Sequence, residues 1–332
     1  MKKDGYAIEA EKNRGYLLKE DASRVFGRTE IESRIHTKWI GRSLYYYDAI
    51  DSTNLQAKRL AEEGAPDGTV VVADQQSAGR GRRGRTWASP AGANLYFTVL
   101  LRPKIAPDKA SMLTLVMALA VAEGIRSIAA PGDSAVAGRM AESGRTAESE
   151  RTAAVERTAD SGKAPSKLED GNFPVGIKWP NDIVIDGRKA CGILTEMSLS
   201  AEQGSIDHLV IGVGINVAKQ EFPAELQGHA VALEEFTLKV NRSELLNAIL
   251  QYFEGFYDLF CAQGDLSGLK KSYDALLINR DRQVRVLDPK GEYDGMARGI
   301  RPTGELIVEL PDGELRVVYA GAVSVRGIYG YV

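Results

Sequence analysis

Apolar and polar positions alternate in short runs near both ends of the chain and fall into longer runs between them. Over residues 5–18 the alternation turns back at Asn13-Arg14-Gly15, the pattern of a β-hairpin. Two strands bury no core alone, so this hairpin needs a neighbour. The pattern then predicts a strand over 43–50, a helix over 52–64, strands over 69–74 and 94–101, and a long helix over 107–128. Further strands are predicted over 175–179, 183–186, 190–198 and 206–217. A helix follows over 242–262, where Leu245, Leu246, Ile249, Phe253, Phe256 and Leu259 recur at three- and four-residue spacings. From Arg282 short β runs are broken by Asp288-Pro289, Pro302-Thr303-Gly304 and Pro311-Asp312-Gly313, which predicts a small barrel or sandwich.

One stretch fits none of these elements. Residues 131–172 contain no aromatic side chain, and a six-residue unit recurs from Gly138, Gly144, Glu150 and Glu156, as in Gly-Arg-Thr-Ala-Glu-Ser. A six-residue period builds no single helical face, so the segment is expected to be a disordered insertion that turnover does not need. Its six basic and eight acidic residues argue against a basic interaction arm. The expected organisation is a hairpin at 1–25, a core at 26–280 carrying this insertion, and a β domain at 281–332.

Charge and thiol content limit the chemistry. The 332 residues carry 42 Lys and Arg against 45 Asp and Glu, a net charge of −3, so any anion site must be a local cluster. The longest apolar run, residues 112–122, is about half of the roughly 20 residues a membrane span requires, and the N-terminus shows no apolar signal region. A cytoplasmic protein with no membrane partner is expected. Cys191 and Cys261 stand too far apart in sequence for a zinc pair and are both expected as buried small hydrophobes, while His36, His208 and His229 have no partner at ligand spacing. Neither a metal cage nor a catalytic triad is expected.

Four motifs could carry chemistry. Gly79-Arg80-Gly81-Arg82-Arg83-Gly84-Arg85-Thr86 concentrates four arginines on a flexible loop, suited to phosphate or carboxylate. It also satisfies a dinucleotide G-x-G-x-x-G pattern, nearly matches a P-loop, and is open to a plain solvated or nucleic-acid-binding reading; the first two require a helix directly after it. Lys178-Trp179-Pro180-Asn181-Asp182 places an ammonium at the end of a strand, or is simply a turn. Asp51-Ser52-Thr53-Asn54 is an N-cap that could also meet a polar ligand. Gly212-Val213-Gly214-Ile215-Asn216 marks either a bulge or close approach to a ligand.

The order of these motifs, with Gln76-Ser77-Ala78 before the arginine loop and Gly192-Ile193-Leu194-Thr195-Glu196 before the last, closely resembles that of bacterial biotin protein ligases. The resemblance runs from about Ile40 to the C-terminus. It implies an α+β fold, a mixed catalytic sheet of the biotin/lipoate ligase type with a C-terminal SH3-like β-barrel. It also implies ATP-dependent formation of biotinyl-5′-AMP, then transfer to a lysine of the biotin carboxyl carrier protein, with Mg²⁺ arriving on ATP and no protein metal site. By the same resemblance Lys178 is the catalytic charge, and Ser52, Thr53, Asn54, Gln76, Arg80, Gly81 and Arg82 hold biotin and its adenylate. Arg83, Arg85, Trp87, Asn181, Asn216 and Arg326 are the nucleotide-side candidates.

Longer relatives begin with a winged helix-turn-helix, and residues 5–18 look like its wing without the preceding helices. Specific DNA binding is therefore not expected of the chain as given. The alternatives are a biotin-responsive repressor, if the start lies upstream, and a lipoate-type ligase; the family also allows a homodimer.

Overall fold

Runs that are apolar at consecutive positions become strands buried on both faces of one sheet. The structure, a computed structural model, describes residues 8–11, 15–18, 25–129, 173–236, 239–288, 291–320 and 324–327. The hexapeptide insertion expected at 131–172 lies outside the described residues. At the N-terminus β1 (Ile8–Glu11) and β2 (Gly15–Leu18) pair antiparallel with Ile8 opposite Leu18.

The core elements follow as α1 (Arg28–Arg34), β3 (Leu44–Ile50), α2 (Thr53–Glu62), β4 (Val70–Gln76), β5 (Leu95–Leu101) and α3 (Met112–Ala129). After the insertion come β6 (Val175–Lys178), β7 (Asp182–Ile185), β8 (Arg188–Leu199), β9 (Ile206–Ile215), α4 (Arg242–Gln263) and α5 (Lys270–Leu276). Seven strands form one sheet in the order β3-β4-β5-β9-β8-β7-β6, in which only β3 and β4 run parallel.

Strand alternation divides the sheet's residues between two layers. Leu95, Phe97, Val99, Leu209, Ile211, Val213, Cys191 and Ile193 join the core beneath α3, which is backed by α4. Gly124 permits this helix pair to close, since a Cβ there would lie 2.6 Å from Ile249 Cγ1. Over the stretch 107–129 the mean hydropathy reaches 1.7, enough in length and composition for a bilayer, yet 67% of that window is buried inside the protein. On the opposite face Val71, Leu100 and Val210 pack under α2, which lies over β4, β5 and β9 and reaches β8 only through the side chains of Asn54 and Lys58. The same face of β8 and β7 is left without a helix among the described residues, and the site forms there.

The periodic helices and strands lie where the pattern put them, within a few residues. Two short helices were not predicted. α1 has one fully buried apolar residue, Ile31, and α5 spans only seven positions, too few to show a period. The predicted strand at 175–179 ends at Lys178, where the chain enters a turn at Trp179-Pro180. Cys261 is exposed rather than buried as expected, while Cys191 is buried; both are free thiols.

The remaining strands, β10 (Arg282–Leu287), β11 (Tyr293–Ile300), β12 (Leu306–Glu309), β13 (Leu315–Val318) and β14 (Ser324–Gly327), form an SH3-like antiparallel sheet in the order β13-β12-β11-β10-β14. The Trp179 turn fastens this part to the core. Its backbone N–H donates to Asn279 Oδ1 at 2.9 Å and its indole Nε1 donates to Gly304 O at 3.0 Å.

A buried carboxylate fastens α4 to the chain entering β3. Glu254 accepts from the backbone N–H groups of Lys38, Trp39 and Ile40 at 2.7 to 3.1 Å. Glu254→Ala orphans three donors at once and is expected to cost about 3 kcal/mol of stability, read as a lowered urea midpoint at unchanged slope.

Candidate active site

The open half of the sheet is floored by glycine. In one row across the strands Tyr96, Gly214, Gly192, Asp182 and Lys178 stand opposite one another in turn; in the next stand Thr98, Gly212 and Leu194. The register of β9 is continuous through Gly212 and Gly214, so the glycines mark no bulge. They mark close approach. A Cβ on Gly214 would lie 2.5 Å from Trp87 Nε1, one on Gly192 2.9 Å from Trp87 Cζ3, and one on Gly212 2.0 Å from Asn54 Oδ1. Trp87 thus lies in a trench that only glycine leaves open, and its indole N–H is buried with no hydrogen-bond partner.

The loop that roofs the trench is not followed by a helix. Arg80 bridges to Thr86 and a short 3₁₀ turn spans Arg82–Gly84, with Arg83 left-handed at φ 57°; the chain then runs extended toward β5. This geometry removes both the dinucleotide and the P-loop readings.

A narrow cleft lies beneath this loop, lined by Ser52, Thr53, Asn54, Gln76, Arg80, Gly81, Arg82, Trp87, Asn181, Lys189 and the glycine-floored parts of β8 and β9. Ser52 occupies the N-cap of α2, but its hydroxyl does not cap. Gln76 does so instead, its Oε1 accepting from Thr53 N at 2.9 Å and Thr53 Oγ1 at 3.1 Å, while its Nε2 donates to Ser89 Oγ at 3.0 Å. A groove on the far side of Trp87 is lined by Arg83, Arg85, Asn181, Asp182, Lys189, Asn216, Phe222 and His229, among others. A third cavity lies between β8, the start of α3 and Thr303–Glu305 of the C-terminal sheet. Arg82 and Asn181 line all three.

Charge gathers at that junction. Arg82 Nη1 donates to Asn181 Oδ1 at 2.6 Å. Burial pushes the guanidinium below its ordinary value, but arginine remains cationic at neutral pH. Lys189 Nζ lies 2.7 Å from Asp182 Oδ1 and 5.4 Å from the centre of the Trp87 ring.

The structure places Lys178, the sequence's candidate for the catalytic charge, apart from this junction. Lys178 is buried, 8% exposed, on the outer strand β6, two strands from Gly192, and lines none of the three cavities. Lys189 lines two of them. Its signal was in the sequence: Asp186 and Gly187 both have positive φ, 50° and 70°, so an Asp-Gly hairpin turn folds Lys189 back beside Asp182.

Asn181 donates through Nδ2 to Ile193 O at 3.1 Å, and Asn216 through Nδ2 to Val231 O at 3.2 Å, so both brace the wall they line. Arg326 stands opposite Arg285 in β14, with its side chain outside the described residues. Of the two residues that hold Asn54 from behind, Thr98 was not singled out by sequence reasoning and Glu196 appeared only as the end of a motif, without a role. Burial pushes the Cys191 thiol up, so no activated thiolate is present there.

Residues 46–216 match the Biotin/lipoate A/B protein ligase family and residues 281–326 the biotin protein ligase C-terminal domain. The chain belongs to this family, as one of its biotin protein ligases. It is 34% identical to the bifunctional ligase/repressor BirA of Bacillus spizizenii, over 98% of this chain and 86% of that protein. It is 30% identical to the biotin-[acetyl-CoA-carboxylase] ligase of Paracoccus denitrificans, over 83% of this chain and 98% of that one. The solved structure of the Aquifex aeolicus biotin protein ligase in complex with biotin and ATP superposes with a TM-score of 0.64 at 28% identity, covering 86% of this chain and 99% of that one.

Proposed function

We propose that this biotin protein ligase activates biotin with ATP to biotinyl-5′-AMP and passes the biotinyl group to a lysine of a biotin carboxyl carrier protein. The observation that carries the reading is the meeting of three cavities at Arg82 and Asn181, because the reaction joins three reactants. The biotin ring enters the cleft beside Thr53, Asn54 and Gln76, and its chain follows the Gly192–Gly214 trench toward Lys189. ATP takes the groove beyond Trp87, where Arg83, Arg85 and Asn216 face it; Arg326 stays a nucleotide-side candidate.

The carboxylate oxygen of biotin attacks the α-phosphorus, the α–β P–O bond breaks, and pyrophosphate leaves. Two anions must approach each other, and Lys189 and Arg82 stand where they meet. The carrier amine then attacks the acyl carbon, loses a proton, and AMP departs. No protein nucleophile is needed. In this reading Mg²⁺ arrives on the phosphates of ATP, to which a hard cation binds through oxygen.

The reading expects a cytoplasmic enzyme. Its test is incorporation of labelled biotin into a purified carrier domain. Labelling should require ATP, the chain and the carrier's acceptor lysine; ATP-independent labelling contradicts it.

A further inference from the structure

An asparagine side chain has a donor end and an acceptor end of nearly the same shape, and its partners decide which way it faces. Asn54 forms part of the cleft wall and is 4% exposed. Its Nδ2 donates to Glu196 Oε2 at 2.9 Å and to Leu194 O at 3.3 Å. Its Oδ1 accepts from Thr98 Oγ1 at 2.7 Å and lies over Gly212. Thr98 cannot choose between the two orientations, because a hydroxyl donates or accepts equally well. Leu194 O and an ionised Glu196 only accept, and the shorter of the two contacts is to Glu196.

Glu196 does not line the cleft. Burial opposes its charge, but hydrogen bonds from Lys58 and Asn54, with the charges of Lys58 and Arg80, outweigh burial and hold the carboxyl below its ordinary range. Lys58 Nζ donates to Glu196 Oε1 at 2.6 Å. At neutral pH Glu196 is therefore an acceptor with no proton to give.

We infer that Glu196 is a positioning residue for the acid substrate: by accepting from Asn54 Nδ2 it fixes which way the Asn54 amide lies in the cleft wall, with Nδ2 on β8 and Oδ1 on Thr98 over Gly212. The inference rests on the reading of that cleft as the biotin site. It sets the donor and acceptor ends that the cleft wall offers to the substrate ring, and it works through Asn54 rather than by touching the ligand. Thr98 also bonds Thr53 Oγ1 at 2.9 Å, and Thr53 donates to Gln76, so the Glu196–Asn54 contact belongs to the same network as Gln76.

The test uses the full chain and three variants. Glu196→Gln keeps size and shape but can donate as well as accept, so both orientations of Asn54 become acceptable. Lys58→Met removes the ion pair and leaves the carboxylate. Glu196→Asp shortens the side chain but keeps an acceptor-only group. Biotin Kd is measured by calorimetry, and KM for biotin and for ATP by pyrophosphate release, beside the melting midpoint.

The expected result is a biotin Kd and KM raised more than about tenfold in Glu196→Gln, with the ATP KM within about twofold and the melting midpoint unchanged. Lys58→Met should stay within about threefold of wild type, and Glu196→Asp should bind biotin better than Glu196→Gln. A Glu196→Gln chain that binds biotin like wild type overturns the inference. So does an equal loss in Lys58→Met, or a tighter Glu196→Gln than Glu196→Asp, since either would make the role one of ion pairing or packing. Should Glu196→Gln fail to fold, the comparison of Glu196→Asp with Lys58→Met decides by the same orders. A wild-type chain without biotin-dependent pyrophosphate release sinks the functional reading and this inference with it, whereas an active wild type isolates the inference.

Discussion

Lys189→Ala is expected to slow biotin-dependent pyrophosphate release about 100- to 1,000-fold, the usual loss when a preplaced stabiliser of transition-state charge is removed. The binding constants for biotin and ATP should change far less, because the charge Lys189 meets develops as two anions are brought together. Asp182 and the Trp87 ring hold its ammonium at the boundary of two cavities, so its position is set before substrate arrives. Lys178→Ala, by contrast, should lower stability through loss of a buried side chain and leave kcat of the folded enzyme within about tenfold. Rapid-quench single-turnover rates for the two variants check the pair. Equal losses, or a larger loss at Lys178, would return the catalytic charge to β6.

Gly212→Ala should weaken biotin binding about 100-fold without altering nucleotide binding. Gly212 has no left-handed backbone angle, so alanine is locally tolerated; the obstacle is Asn54, whose Oδ1 would stand 2.0 Å from the new Cβ. Displacing Asn54 breaks its bonds to Thr98, Leu194 and Glu196 together, a stability cost of about 3 kcal/mol at about 1 kcal/mol each, and takes its amide out of the cleft wall that meets the acid. Calorimetric titration of biotin and of a nonhydrolysable ATP analogue into the variant checks it. A biotin Kd within threefold of wild type would mean the cleft wall is not where the acid binds.

Much of this architecture was legible in the sequence because the sheet is covered on one side by two long helices and on the other by one. Helices α2, α3 and α4 carry clear periods, and β5 and β9 read as continuous apolar runs because both of their faces are buried. The short helices α1 and α5 were not legible, since seven residues complete about two turns and bury too little to show a pattern. The arginine loop, the Ser52–Asn54 cap and Gln76 were legible as motifs, and they line one cleft.

The choice between two lysines was not legible from motif conspicuousness. Lys178 stands in a memorable sequence yet ends on an outer strand, whereas Lys189 follows an ordinary Asp-Gly turn that brings it back over Asp182. Glu196 and Thr98 were hidden for a different reason. Their bonds to Asn54 join residues 142 and 44 positions apart, a relation set by strand order rather than by local spacing.

The most direct test of the central claim is pyrophosphate release from Mg-ATP by the purified chain with biotin and with lipoate supplied separately. Release that depends on biotin and is at least about 100-fold faster than with lipoate is the result this account predicts, the preference expected of a site built to hydrogen-bond its substrate. A folded chain that binds biotin without releasing pyrophosphate, or that turns over lipoate faster, would contradict it.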